Sequence, residues 1–346
     1  MKHQTTRYGE IPFYKIGTFD NTADAFISKK LFLEYKTKYS FPKKGDILIS
    51  ASGTIGRAVI YDGKPAYFQD SNIVWIDNDE TLVKNDFLFY AYSNVKWNTE
   101  HTTILRLYND NFRNTLIPLP PLNEQNAIAN ILSALDRYLC TLDALILKKE
   151  GVKKALSFEL LSQRKRLKGF NQAWQRVRLG DIVNYLTSNL SVEQITQQGK
   201  IKVYDANNFI GYTDTTFISD KPYISIIKDG SVGRVRILPP KTNILSTMGA
   251  LIANHRTTTE FLFYLLSNFD FKNFTSGSII PHIYFKDYKE KTIFLPSLNE
   301  QIAIANILSA LDKEIASLKN KKRQFENIKK ALNHDLMSAK IRVLKK

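Results

Sequence analysis

The sequence is poor in cysteine and histidine, and it contains no long apolar run. Its 346 residues include one cysteine, Cys140, and five histidines, none of which lies at a metal-ligand spacing. A single cysteine forms no internal disulfide, so we interpret Cys140 as a small core residue in a reducing compartment. No run approaches the 18 or so apolar residues of a membrane span, and the first residues are not typical of a signal peptide. We therefore predict a cytoplasmic protein.

Motifs for enzymatic chemistry are also missing. Adenine methyltransferases hold a flipped base with an Asn/Asp-Pro-Pro-aromatic motif, which the Pro-Pro pairs at Pro120 and Pro239 do not match. The Gly230-Ser-Val-Gly turn is too short to cradle the phosphates of ATP. Asp287 and Glu290 have the spacing of a nuclease acid pair, although acids between lysines are usually surface charges. The sequence therefore predicts a non-catalytic protein with no cofactor and no metal.

The dominant feature of the sequence is a repeated motif. Leu119-Pro-Pro-Leu-Asn-Glu-Gln-Asn-Ala-Ile-Ala-Asn-Ile-Leu-Ser-Ala-Leu-Asp136 returns almost unchanged as residues 295–312, about half a chain later. Each copy has proline upstream and Asn, Glu and Gln in the first turn. These residues mark the start of a helix, because they offer acceptors to free backbone N–H groups and an acid near the positive end.

An apolar stripe follows each helix start. Its residues recur at alternating steps of four and three, which is the period of a coiled-coil seam. No proline interrupts the stripes, so we predict continuous helices from about Asn123 to Lys168 and from about Asn299 to Val343 that pack on each other. The alternative is two ordinary amphipathic helices of separate globular domains. The predicted seam consists of Ile128, Leu132, Leu135, Leu139, Leu142 and Ile146 with Ile304, Leu308, Leu311, Ile315 and Leu318, and lysines 149, 153, 322 and 329 interrupt it.

The chain is strongly basic, with 49 lysines and arginines against 33 acids and a net charge of +16. More than half of this excess lies in the two helix segments. A basic excess indicates a polyanionic partner such as nucleic acid, whereas charge along a helix is usually a solvated face. The charge alone does not decide between these interpretations.

The first segment outside the helices has a mixed α and β pattern. Residues 44–50 alternate like a strand, a glycine-bounded turn follows, and residues 57–61 complete a hairpin. Residues 66–76 predict another strand pair, and residues 85–93 predict a short helix.

The second segment repeats this plan with less identity. Gly230-Ser-Val-Gly-Arg234 corresponds to Gly53-Thr-Ile-Gly-Arg57, and Phe261-Leu-Phe-Tyr264 corresponds to Phe87-Leu-Phe-Tyr90. The chain is therefore organised as domain, helix, domain, helix. Such a plan is typical of a selector whose two heads read different targets across a fixed spacer.

These motifs resemble the specificity (S) subunits of type I restriction–modification systems over essentially the whole chain. The motifs that carry the resemblance are the paired helix starts, the Gly-Asp-Ile-Leu-Ile-Ser hairpin at residues 45–50, and Trp174-Gln-Arg-Val-Arg-Leu-Gly-Asp181. The resemblance implies two target-recognition domains that each read half of a bipartite site in double-stranded DNA. It also implies a helical spacer that sets the gap and docks methyltransferase (M) subunits. The M subunits would supply S-adenosylmethionine chemistry, and restriction (R) subunits would supply ATP-driven translocation and cleavage.

The predicted fold class is α+β, with two similar mixed α/β target-recognition domains separated by two long helices that form an antiparallel coiled coil. We place the first domain at residues 1–122, the first spacer helix at 123–170, the second domain at 171–298 and the second spacer helix at 299–346.

Candidate DNA-binding residues are the small polar and basic side chains of the hairpin tips and late loops. Arginine and lysine neutralise phosphates or bind guanine, and serine and threonine contact phosphate or bases. For each residue the alternative is an ordinary exposed turn position. The candidates are Lys43, Lys44, Ser50, Ser52, Thr54, Arg57 and Arg106 in the first domain, and Lys228, Ser231, Arg234, Arg236, Thr247, His282 and Tyr284 in the second.

The two domains differ at their beginnings. The second has about 25 residues, from Trp174 to Gln198, ahead of Gly199-Lys-Ile-Lys-Val-Tyr204, whereas the first has eight residues ahead of the corresponding Gly9. The first domain also has no Trp…Leu-Gly-Asp segment. A late start codon, a natural truncation and completion by another chain remain alternative explanations.

Two functional hypotheses follow from the sequence. The first is a non-catalytic DNA-specificity subunit, and the second is a coiled-coil structural or interaction protein whose paired domains bind other proteins. Salt-dependent binding to duplex DNA distinguishes them.

Overall fold

A computed structural model describes residues 4–19, 21–68, 72–97 and 106–344. The chain divides into two compact units, one of residues 1–143 with 320–346 and the other of residues 144–319. Two 40-residue helices, Leu122–Leu161 and Leu298–Met337, contribute to both units. Within the described ranges, every helix is too short or too polar to span a bilayer.

The first unit has two small sheets and three short helices. Sheet order is β2-β1-β5 in one and β4-β3-β6 in the other. The strands are β1 Ile11–Tyr14, β2 Phe26–Ile27, β3 Ile47–Ser50, β4 Ala58–Ile60, β5 Tyr67–Phe68 and β6 Ile73–Trp75, and the helices are α1 Lys29–Lys38, α2 Asn85–Tyr92, α3 Asn109–Arg113 and the beginning of the long helix α4 Leu122–Leu161.

The second unit has two sheets that correspond to those of the first unit, and two further sheets of two strands each, β15-β16 and β17-β7. The β10-β9-β13 sheet corresponds to β2-β1-β5, and β12-β11-β14-β8 corresponds to β4-β3-β6 with β8 added at the edge. The strands are β7 Gln175–Arg178, β8 Val183–Thr187, β9 Ile201–Tyr204, β10 Phe209–Thr213, β11 Tyr223–Ile227, β12 Val235–Leu238, β13 Thr242–Ile244, β14 Met248–Ala253, β15 Thr275–Ser276, β16 His282–Ile283 and β17 Thr292–Leu295, and the helices are α5 Thr259–Ser267, α6 Phe285–Tyr288 and α7 Leu298–Met337.

The predicted hairpin is present, because β3 pairs antiparallel with β4. The predicted strand pair at residues 66–76 is wrong in its partners. β5 pairs in parallel with β1 in one sheet, and β6 pairs antiparallel with β3 in the other. Each of these strands is only two or three residues long, so its partner is chosen by the surrounding core rather than by its own sequence.

The long helices pack antiparallel within each unit. In the second unit Lys149 pairs with Glu314 and Lys153 pairs with Asp312, so the partner number falls as the residue number rises. In the first unit Lys322 pairs with Asp143, and Lys329 pairs with Asp136. The lysines that interrupt the predicted seam are therefore partners in ion pairs between the helices, and each keeps about a third of its side chain exposed.

The predicted seam faces the protein interior along its length. Four of its residues, Leu135, Leu139, Leu311 and Leu318, are partly buried. Cys140 is exposed, so its interpretation as a core residue is wrong: it lies one position beyond Leu139 and on the solvent side of the helix. The seam residues with less than a tenth of their surface exposed are Ile128, Leu132, Leu142, Ile146, Ile304, Leu308 and Ile315.

Both long helices end earlier than Lys168 and Val343. Gln163 and Ala339 have φ values of 62° and 55°, and a left-handed residue just past the last turn ends a helix. An arginine beyond each end then returns to the start of the other helix. Arg166 binds Glu300 in the second unit, and Arg342 binds Glu124 in the first.

The glutamine of each repeated motif holds a loop of its own unit. Gln125 is fully buried; it accepts the Lys84 backbone N–H (2.8 Å) and donates to the carbonyl oxygens of Leu82 and Pro120. Gln301 makes the equivalent bonds to Thr258 and to two carbonyl groups. The motif therefore does more than start a helix, because its buried polar groups join the helix to the domain.

Candidate nucleic-acid interface

The tip of the β11–β12 hairpin is a tight turn between Ile227 and Arg234. The Gly233 N–H donates to the Ile227 carbonyl oxygen at 2.9 Å, and the Ile227 N–H donates to the Arg234 carbonyl oxygen at 3.0 Å. Gly233 has a φ of 82°, and a Cβ there would lie 2.7 Å from the ring of Phe271. Only glycine therefore fits this position, and the turn presents Arg234 at the surface.

Two further segments meet this tip. The Lys228 N–H donates to the Thr247 carbonyl oxygen (3.1 Å), and the Lys228 carbonyl oxygen accepts the Ile283 N–H (2.9 Å). The β16 strand thus lies beside the turn, and the His282 Nδ1 is 2.6 Å from the Asp229 carboxylate. The structure therefore brings Lys228, Thr247 and His282 together.

Two other predicted residues complete this end of the second unit. Ser231 is exposed in the turn itself. Tyr284 follows β16 with about half of its surface exposed, and its ring stacks at 6.5 Å from that of His282. The Lys286 ammonium lies 5.5 Å from the Tyr284 ring centre, so a cation joins this aromatic pair.

Two arginines, Arg234 just before β12 and Arg236 within it, are oriented by one asparagine. Arg234 donates from Nη2 to the Asn207 side-chain oxygen at 3.0 Å, and Arg236 donates from Nη1 to the Asn207 backbone oxygen at 2.9 Å. Arg236 also lies over the Tyr204 ring at 5.3 Å. Neither guanidinium pairs with an acid in the described part of the chain, so both charges are free to attract an anion. The sequence did not predict Asn207 as a site residue, because it is one of many polar residues in loops.

The β3–β4 hairpin has an equivalent tip in the first unit. Gly56 has a φ of 80°, and a Cβ there would lie 2.2 Å from the Trp97 indole nitrogen. Arg57 is exposed beside it, and its Nη1 donates to the Phe19 carbonyl oxygen at 3.0 Å. Arg106 lies opposite Ser52 in an isolated bridge, just as His282 lies opposite Asp229. Thr54 is exposed in the same turn.

Four predicted residues of the first unit do not contribute to the exposed surface of this tip. Ser50 and Ser52 are buried; Ser50 accepts the Arg57 backbone N–H at 3.0 Å, and Ser52 binds Asn72 at 2.9 Å. Their hydroxyl groups stabilise the turn and do not reach its surface. Lys43 and Lys44 precede β3, so they lie at the opposite end of the hairpin from its tip. The first-unit tip therefore consists of Thr54, Arg57 and Arg106.

The acidic pair of the sequence does not form a site. Glu290 binds Arg178 at 2.8 Å, and Asp287 is exposed in the short helix α6. Within the described ranges, no three His, Cys, Asp or Glu residues come together as a metal site.

Comparison with known proteins identifies the class and then the family. The fold is that of type I restriction–modification S subunits: the crystal structure of the S subunit from M. genitalium superimposes with a TM-score of 0.64 at 21% identity, over 97% of this chain and 91% of that chain. A chain of another solved type I R-M system gives a TM-score of 0.55 at 17% identity, over 85% of this chain.

The family follows from the sequence match. The model of the type I restriction modification DNA specificity domain matches residues 1–149 and 171–327, so the chain belongs to this family. It is 25% identical to the type I restriction enzyme MjaVIII specificity subunit of Methanocaldococcus jannaschii, over 96% of this chain and 87% of that protein. A Haemophilus influenzae protein named as a type I specificity subunit is 64% identical over 133 residues, which span about a third of each chain.

Proposed function

We propose that this chain is the DNA sequence-recognition subunit of a type I restriction–modification complex, in which each unit contacts one half of a bipartite site. The observation that carries the proposal is a hairpin tip that exposes an arginine at equivalent positions of both units, Arg57 and Arg234. Neither arginine has an acidic partner among the described residues. The family match in both halves supports the same conclusion.

The chemistry of the tips suits a DNA groove. A guanidinium can bind guanine O6 and N7 in the major groove or neutralise a phosphate. In the second unit Asn207 orients two of them at 3.0 and 2.9 Å, which reduces the conformational freedom lost on binding. Beside the tip, Lys228 adds a cation and Thr247 adds a hydroxyl group, and both can contact the phosphate backbone of DNA. We assign base reading to the tips and phosphate contacts to the residues around them.

The helices have a separate role in the proposal. They set the spacing between the two half-sites and dock M subunits, and R subunits join through the complex. The chain itself catalyses no reaction, and methyl transfer depends on the M subunits. Its cations therefore act in binding.

Selection from a pool of random duplexes tests the proposal. The purified chain, assembled with a type I M subunit, is expected to enrich two short conserved half-sites separated by a gap of constant length. Binding should weaken steeply with salt, because each phosphate contact releases counterions. A protein-binding coiled-coil protein would enrich no sequence and would show no salt-dependent duplex binding.

A further inference from the structure

The two units differ at one surface where their sequences are nearly the same. In the second unit, β17 leads into α7 and pairs antiparallel with β7, so that Leu295 lies opposite Gln175. In the first unit, residues 116–119 occupy the same position before α4. In the described part of the chain no strand pairs with them. This unpaired segment, together with Glu124 and Arg342, is called the open edge below.

In the second unit this surface is covered by Trp174 and the strand that follows it. The Trp174 indole N–H donates to Glu300 at 2.9 Å, and the Arg166 guanidinium lies 5.6 Å from the indole ring centre. Arg166 also donates to Glu300 from Nε at 2.8 Å. Leu295 packs in one apolar cluster with Trp174 and Val177. It is therefore only 4% exposed.

The first unit has the equivalent residues, and in the described part of the chain no strand covers Leu119, although the Glu124 side chain is only 7% exposed. Glu124 and Arg342 form the same ion pair, with 2.8 Å between Nη2 and Oε2. Leu119, which corresponds to Leu295, is 57% exposed. Half of the Arg342 side chain is exposed, against less than a third for Arg166. A leucine, a glutamate and an arginine thus hold the arrangement that binds the tryptophan segment in the other unit.

The backbone of the open edge is also compatible with an added strand. Pro118 lies where Phe294 lies in β17 and has no N–H to donate. In the second unit the Leu179 N–H donates to the Lys291 carbonyl oxygen at 3.0 Å. Hydrogen-bonded pairs alternate along an antiparallel ladder, so the position of Phe294 falls between bonded pairs. Pro118 therefore removes no bond that an incoming strand would need.

We propose that the open edge binds an extended segment of a second polypeptide with the chemistry of residues 174–179: a tryptophan followed by apolar residues at the third and fifth positions. The tryptophan would donate to Glu124, stack on Arg342 and cover Leu119, and its strand would pair with residues 116–119. Residues 174–179 of this chain are already paired with β17 in the second unit, so these residues are not free to bind the open edge.

The occupant pairs with the open edge through one strand only. The next strand of the second unit, β8, places Tyr185 against Gly249, where a Cβ would lie 2.5 Å from the ring. The first unit has Val74 at the position of Gly249. A tyrosine would collide with this valine, so an occupant that continued further would need a smaller residue there.

A peptide with the sequence of residues 170–181, carrying a photo-crosslinking group, tests this on the full chain. Saturable binding is expected, with crosslinks to residues 116–124 or to Arg342. The Leu119→Asp and Glu124→Gln variants should each weaken binding at least about tenfold. Leu119 is more than half exposed, so its substitution leaves the core unchanged. Peptide with alanine in place of Trp174 should bind at least about tenfold more weakly.

The matched control is Phe294→Asp, an exposed residue of the β17 strand in the covered unit, which should leave peptide binding unchanged. Three results would overturn the proposal: no saturable binding, crosslinks to residues 292–300 instead, or equal binding to the Leu119 and Glu124 variants. DNA binding does not enter this measurement, so its outcome is independent of the proposed function.

Discussion

At each hairpin tip a glycine permits the tight turn, and the arginine that follows it is exposed and can bind a ligand. Gly56 and Gly233 have positive φ values, and each has an aromatic ring where a side chain would begin. The next residue, Arg57 or Arg234, is exposed. Because each glycine permits a tight turn with positive φ, an exposed arginine follows at the equivalent position of both units.

Truncation of these arginines should weaken specific binding. For Arg57→Ala and Arg234→Ala we expect a loss of about 1–3 kcal/mol where the residue reads a base. A phosphate contact would instead weaken all sequences alike and reduce the salt slope by about one. Fluorescence anisotropy with the selected duplex at several salt concentrations measures both quantities. Lys44→Ala and Lys221→Ala, at the other ends of the two hairpins, are the matched controls, and unchanged binding of both arginine variants would show that the tips face away from DNA.

A buried tyrosine, Tyr264, should make the stability of the second unit depend on pH. Burial and then the hydrogen bond to Asp312 raise the pKa of Tyr264 above its ordinary value of 10. The folded state therefore keeps this proton where the unfolded chain loses it, so the stabilisation is present below about pH 10 and is lost as the pH rises. Tyr264→Phe should lower the melting temperature at neutral pH, and its deficit should shrink at alkaline pH.

Thermal melts of three proteins test this directly. Wild type, Tyr264→Phe and the exposed-site control Tyr284→Phe are compared between about pH 8 and pH 11, on either side of the ordinary tyrosine pKa. A deficit of Tyr264→Phe that stays constant across the range would contradict the assignment.

The orientation of single side chains is what the sequence predicted least well. Ser50 and Ser52 are polar residues of a glycine-rich turn, and nothing in a period-two pattern indicates that their hydroxyl groups are consumed by the Arg57 backbone N–H and by Asn72. Cys140 follows a seam residue and is nevertheless exposed. Side-chain direction depends on neighbours far along the chain, such as Asn72, twenty positions from Ser52.

At the scale of elements, the long helices were predictable because their signals are local and repeated. The motif at Leu119 and Leu295 marks each start, and the stripe indicates the buried face. The helix ends were missed, because Gln163 and Ala339 are ordinary helix formers whose left-handed conformation goes with the nearby arginine pairs to Glu300 and Glu124. The partners of β5 and β6 were missed for a similar reason, since strand pairing is non-local.

A charge in the buried part of the seam should disrupt the helix packing. Leu308 is fully buried in the main apolar cluster of the second unit. Truncating a buried leucine lowers the free energy of unfolding by about 2–5 kcal/mol. For Leu308→Asp we expect a loss of at least this size, because the substitution also buries an unpaired carboxylate. Ile302→Asp, on the exposed face of the same helix, is the control. Hydrogen exchange of α5 and α7 reports the effect, and equal protection in both variants would show that the helix does not pack along this stripe.

At the scale of the whole molecule, we propose that the paired helices act as a ruler. One heptad inserted between Asp143 and Ala144 and another between Lys319 and Asn320 would keep the seam in phase and lengthen each helix by about 10 Å. On duplex DNA this corresponds to roughly three base pairs. Mapped methylation sites should therefore keep both half-sites and show a gap wider by about three. Insertion in one helix alone should lower activity, and an unchanged gap or altered half-sites would refute the ruler.

The central claim is that each unit reads its own half of one DNA site, and a methylation map of cells that express the chain with its methyltransferase tests it most directly. The wild type is compared with Arg57→Ala and Arg234→Ala at single-base resolution. We predict two half-sites with a constant gap, a relaxed sequence in one half for Arg57→Ala, and a relaxed sequence only in the other half for Arg234→Ala. A single uninterrupted site, or two variants that change the same half, would contradict the account.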